Sequence, residues 1–90
     1  MQIIKKDGTL ENYDEQKIIN ACNKAARRAM VELSDSDYQI ICNAVWDKLV
    51  ENDLEDTEIY EMHNIVEAVL EEYYPAVAKM YKEYRNYWNL

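Results

Sequence analysis

The sequence predicts a mainly α protein, a four-helix bundle capped by an N-terminal β-hairpin. Three observations lead there: one Asp7-Gly8 turn signal between two short strand-like segments, apolar residues recurring at three and four residue spacings through nearly all that follows, and a single proline, Pro75, where two helical stripes meet. The hairpin is expected over about 2–12. Gly8 is the sole glycine, and a two-residue Asp-Gly turn needs the positive φ that glycine adopts without steric cost. An isolated hairpin is marginal in water, so its apolar side chains must lie on something else.

The first helix is expected over 14–31, capped by Asp14, with Ile18, Ala21, Cys22, Ala25, Ala26 and Met30 on its apolar stripe. The second, over 34–52, starts at Ser34 with Asp37 as its capping-box partner and carries Tyr38, Ile41, Val45 and Leu49; Asn52-Asp53 ends it. Asp56 or Thr57 starts the third, over 57–73, with Ile59, Met62, Val66, Val69 and Tyr73 in step. Pro75 fits the first position of a fourth helix over 75–89, striped by Val77, Met80, Tyr81, Tyr84 and Trp88. That stripe is still amphipathic at Leu90, as expected of a piece of a longer protein.

All 90 residues fit one domain, and a chain this short buries only about 60% of its unfolded surface, which leaves no room for a deep, dry catalytic cavity. The net charge of −8 repels nucleic-acid phosphates. That charge is uneven: residues 1–30 hold six basic and four acidic residues, residues 31–90 four basic and 14 acidic. The basic front end suits a small polyanion, because screening at physiological salt confines each charge to about 8 Å. Cys22 and Cys42 form no C-x-x-C pair, and no stretch has the apolar length of a signal peptide or spanning helix, so a reduced, cytoplasmic protein without membrane or nucleic-acid partners is expected.

Signatures of chemistry are few. No Gly-x-Ser-x-Gly, Walker A or Gly-x-Gly-x-x-Gly motif occurs, Tyr60 stands where a Glu-x-x-His metal motif before His63 needs glutamate, and the stretch from Asp53 to Thr57 lacks the glycine of a calcium loop. A kinase-like enzyme is disfavoured by the same lack of a glycine-rich loop. What remains is a cluster of cations: Lys5 and Lys6 adjacent in a strand, one to each face, and Lys17 one turn into the first helix, whose free N–H groups attract phosphate. Taken alone, the two strand lysines read first as guards of an exposed edge.

The arrangement as a whole resembles the ATP-cone domain. Ile3-Ile4-Lys5-Lys6-Asp7-Gly8 opens the likeness; Tyr13-Asp14-x-x-Lys17-Ile18, Ala25-Ala26 and Met62-His63-x-x-Val66-Glu67 continue it, and Pro75-x-Val77-Ala78-Lys79-x-Tyr81-x-x-Tyr84-Arg85 closes it. The resemblance covers about residues 2–86. It implies a regulatory domain without catalysis, usually N-terminal in ribonucleotide reductases, that binds ATP or dATP with magnesium and controls activity and effector-dependent homo-oligomerisation through other reductase domains or subunits. It also implies a site in which Lys5, Lys6 and Lys17 hold phosphates, Glu11 and Asp14 reach ribose or phosphate-bound magnesium, and Ile3, Ile18, Ile59 and His63 enclose adenine. Lys6 departs from a common arginine and Asn86 from a frequent basic residue. Two other expectations stand beside it: a protein-interaction or oligomerisation module that takes no nucleotide, and the cone of a reductase-gene repressor. The second would need zinc ligands, and none precedes Ile3.

Overall fold

The computed structural model describes residues 1–52 and 56–88, with side chains through Arg85. Three short strands, β1 (Gln2–Ile4), β2 (Leu10–Asn12) and β3 (Thr57–Glu58), accompany four helices, α1 (Glu15–Arg28), α2 (Asp35–Glu51), α3 (Ile59–Tyr73) and α4 (Pro75–Trp88). The protein is mainly α, as expected. Expectations for Asp53, for residue 89 and for the side chains of Asn86, Tyr87 and Trp88 lie outside the described residues.

The hairpin differs from its expected form. Gly8 N–H donates to the Lys5 carbonyl at 2.9 Å and Lys5 N–H to the Thr9 carbonyl at 2.8 Å, so the turn is a three-residue loop, Lys6-Asp7-Gly8, with Gly8 at φ 87°. The Asp7 carboxylate accepts from both the backbone N–H and the hydroxyl of Thr9, at 3.0 and 2.6 Å, which favours the wider loop over a two-residue turn. Lys5 and Lys6 therefore follow β1 instead of lying in it, and the expected split between two strand faces does not occur.

β1 is the central strand of a small sheet, not one half of a lone hairpin. It pairs antiparallel with β2 and parallel with β3, in the order β2-β1-β3. β3 occupies the positions where the third helix was expected to begin. Pairing of Ile3 with Thr57 and Ile4 with Glu58 holds that segment extended, so α3 starts at Ile59, with Glu58 as an N-cap that makes no side-chain hydrogen bond. A two-residue strand leaves no periodicity in a sequence.

The helical caps follow local chemistry. The Asp14 side chain accepts from Gln16 N–H, Ser34 and Asp37 form a reciprocal capping box, and Pro75 opens α4. α1 packs on α2 and α4, and α3 packs on α2 and α4, so each helix buries its stripe against two others. Ile18, Cys22, Ala25, Ile41, Val45, Leu49, Met62, Val66, Val69, Val77 and Tyr81 join one core with Ile3, and Ile65 and Leu70 extend it beyond the expected stripe. Met30 and Tyr73 fall outside it, 94% and 49% exposed: α1 has already ended at Arg28, and Tyr73 is the last residue of α3. Both cysteines are buried free thiols, and burial pushes Cys22 up to about 12.

Candidate functional site

Strand register starts the site. Ile3 and Glu11 are directly opposed across β1 and β2, and directly opposed residues share a sheet face, so an apolar floor and a carboxylate turn the same way. Beyond β2 the chain turns at Tyr13 into α1, whose first turns contribute Asp14, Lys17, Ile18 and Ala21. Because α3 follows β3 without a loop, the strand beside Ile3 also delivers Ile59, and with it Met62, His63 and Val66 at i, i+3, i+4 and i+7. Tyr81 of α4 closes a mostly apolar slot of about 90 Å³.

The slot opens into a second, more polar hollow of about 290 Å³. Lys17, Ala21, His63 and Tyr81 line both, so they form one continuous cleft between α1 and the α3–α4 pair. Asn20 and Lys24 join Lys17 along one face of α1, and Tyr84 and Arg85 face them from α4. Three cations thus converge on a cleft in a chain of net charge −8. Glu11 and Lys17 form an ion pair at the slot's edge. Arg85 lies against Glu67 at 2.8 Å, with its guanidinium 4.8 Å from the Tyr60 ring centre.

His63 is half-buried, and its Nδ1 lies 2.7 Å from the Tyr81 hydroxyl. Burial, reinforced by the Arg85 charge, holds the His63 pKa below its ordinary 6.5, so the ring is neutral at pH 7. The Tyr13 hydroxyl is a buried donor at the slot wall with no hydrogen-bond partner among the described residues, and burial pushes its pKa up to about 12.

Of the expected site residues, Ile3, Glu11, Asp14, Lys17, Ile18, Ile59 and His63 come together around the slot. Lys5 and Lys6 line neither part of the cleft; Lys5 pairs with Thr9 at the base of the hairpin loop and Lys6 is the loop's first residue. The helix start is also less open to an anion than expected, because the Asp14 carboxylate takes Gln16 N–H at 2.9 Å and the Asp14 carbonyl takes Lys17 N–H at 3.2 Å. Lys24 and Arg85 line the groove although neither is among the expected site residues. Lys24 had a legible signal, its i+7 spacing from Lys17 through Asn20 and Ala21, whereas Arg85 enters the cleft through the packing of α4 on α1.

Comparison with known proteins decides the family. The family model described as the ATP cone domain matches residues 1–90, the entire chain. The protein belongs to the ATP cone family. Cones are nucleotide-binding regulatory domains, and this chain is one of that class. The cone is also 35% identical over 86 residues to a protein named anaerobic ribonucleoside-triphosphate reductase from Haemophilus influenzae (strain ATCC 51907 / DSM 11121 / KW20 / Rd). That match takes in 93% of the cone but 12% of the relative's length. Among the described residues no helix of the cone is long and apolar enough to cross a membrane.

Proposed function

We propose that this cone is an allosteric sensor that binds ATP or dATP in the cleft and thereby controls the activity and oligomeric state of a ribonucleotide reductase. The observation that carries this reading is an apolar slot continuous with a groove holding Lys17, Lys24 and Arg85: a base needs an apolar slot, and a triphosphate needs convergent cations. Ligand pockets usually measure about 300 Å³ or more, so the nucleotide spans slot and groove together. Ile3, Ile18, Ile59 and His63 enclose adenine, Lys17 takes phosphate, and Lys5 and Lys6 add charge from the tip of the hairpin.

Glu11 and Asp14 reach ribose or magnesium. Among the described residues no group of three or more metal-ligating side chains forms, Glu11 is paired with Lys17, and Asp14 caps α1, so the donor set fits magnesium only when phosphate oxygens complete it. When bound, magnesium supplies charge neutralisation of the triphosphate; Lys17 then exchanges Glu11 for a phosphate oxygen. Catalysis belongs to the remainder of a cytoplasmic parent enzyme, and neighbouring reductase domains or subunits read the cone's state. An effector shifts such an assembly only by its differential affinity for the two states.

Isothermal titration with ATP and then dATP in magnesium, with size-exclusion chromatography of each complex, tests the reading. The expected result is micromolar binding, about −8 kcal/mol, weakened at least tenfold by Lys17→Ala, together with an effector-dependent change in elution. No heat at millimolar nucleotide overturns it. The chain would then act by protein contact alone, a reading favoured by Ile40, Trp46 and Val50, which α2 leaves 45%, 38% and 48% exposed.

A further inference from the structure

We infer that Tyr81 is a positioning residue for His63: its hydroxyl donates to Nδ1 and leaves His63 as the tautomer carrying its hydrogen on Nε2, so that the cleft meets its ligand there with an N–H donor. This deepens the nucleotide reading of the same cleft and rests on it. Tyr81 is 3% exposed on α4, His63 stands on α3, and the 2.7 Å bond joins the two helices inside the wall that slot and groove share. The phenol hydroxyl can donate or accept, whereas a neutral imidazole has one nitrogen of each kind. Were Nδ1 protonated, it would donate to the phenol oxygen, and the phenol hydrogen would stay buried without an acceptor, the more costly arrangement. Burial raises the Tyr81 pKa, so the hydroxyl keeps its hydrogen, and the lowered His63 pKa keeps the ring an acceptor at Nδ1.

The consequence is a rule for the ligand. The atom it sets against His63 Nε2 must accept a hydrogen bond, as a purine ring nitrogen, a carbonyl oxygen or a ribose oxygen does and an exocyclic amino group does not. Tyr81→Phe keeps the buried ring and removes only the donor.

His63 is the single histidine, so nitrogen-15 NMR of the labelled 90-residue chain reads one imidazole without assignment. The expected wild-type pattern is a pyrrole-type Nε2 and a pyridine-type Nδ1 at pH 7.5, averaging toward a tautomer mixture in Tyr81→Phe. A protonated Nδ1 in the wild type, or an unchanged pattern in Tyr81→Phe, overturns the inference. A second arm measures ATP affinity in a double-mutant cycle. Tyr81→Phe should weaken binding about tenfold beside His63, and less than about twofold beside His63→Gln, whose amide N–H needs no phenol to orient it. Equal losses in both backgrounds would mean that Tyr81 acts by packing, and would overturn the positioning role. A wild-type chain that takes no ATP overturns the nucleotide reading instead, while the NMR arm still decides the tautomer.

Discussion

Arg85 and Glu67 place a full ion pair where side-chain exposure is only 9% and 15%. Such a pair adds little net stability, because desolvation offsets most of the attraction, but breaking it strands one buried charge. Glu67→Ala should therefore cost about 3 kcal/mol in urea unfolding, while Glu67→Leu combined with Arg85→Met should recover most of that loss. The Tyr60 ring and carbonyl remain beside Arg85 in the single variant and limit the damage. His63 gives a pH dependence with a fixed sign. Its folded pKa lies below the 6.5 of the unfolded chain, so in the window between them the unfolded state binds more protons and stability rises with pH. The urea midpoint should fall on going from pH 7.5 to 5.5, and His63→Gln should flatten that slope.

At the scale of the element, the end of α1 holds the one non-glycine residue at positive φ among the described residues. Met30 has φ 58°, the left-handed region, while Val31 N–H donates to the Ala26 carbonyl at 2.9 Å and Met30 N–H to the Arg27 carbonyl at 3.1 Å. These are the two bonds of a Schellman cap, a position that glycine fills without steric cost. With its side chain 94% exposed, methionine gains nothing from packing there. Met30→Gly should raise unfolding stability by about 1 kcal/mol, seen as a higher urea midpoint at unchanged slope. A lower midpoint would mean that the left-handed turn is not what limits the helix end. The sheet makes the complementary point: two residues of β3 suffice to fix where α3 begins, and so to aim Ile59 and His63 at the cleft.

For the whole molecule, one core reaches from Ile3 on β1 through all four helices to Tyr81 on α4, and the cleft is cut into its edge. Ligand binding and global stability are consequently coupled, because Ile3, Ile18, Met62 and Tyr81 belong to both. At a nucleotide concentration of about 100 Kd the folded state should gain about 2.7 kcal/mol by mass action. For a domain of this size that corresponds to a Tm increase of about 10 to 20 °C in a thermal scan with ATP and magnesium. Lys17→Ala, on an exposed part of α1 and binding at least tenfold more weakly, should remove about half of the shift or more at the same nucleotide concentration, while leaving the Tm without nucleotide nearly unchanged.

The sequence by itself determined the helices, their caps and most of the core, because these depend on interactions within three or four residues: Asp14 on Gln16, Ser34 on Asp37, Pro75 at a helix start, and stripes such as Ile41, Val45 and Leu49. It also named seven of the residues that surround the slot, through a resemblance whose motifs are spread from Ile3 to Arg85. Tertiary structure decided what depends on contacts between distant segments. β3 exists only because Thr57 meets Ile3, and that pairing overrode the helix start expected at Asp56 or Thr57. The loop geometry at Asp7 carried Lys5 and Lys6 away from the strand faces, and the packing of α4 on α1 and α3 brought Arg85 and Tyr81 to the cleft. Periodicity along a chain says which side of an element is apolar; which polar atoms meet across two elements, as Tyr81 and His63 do, is fixed only when the core closes.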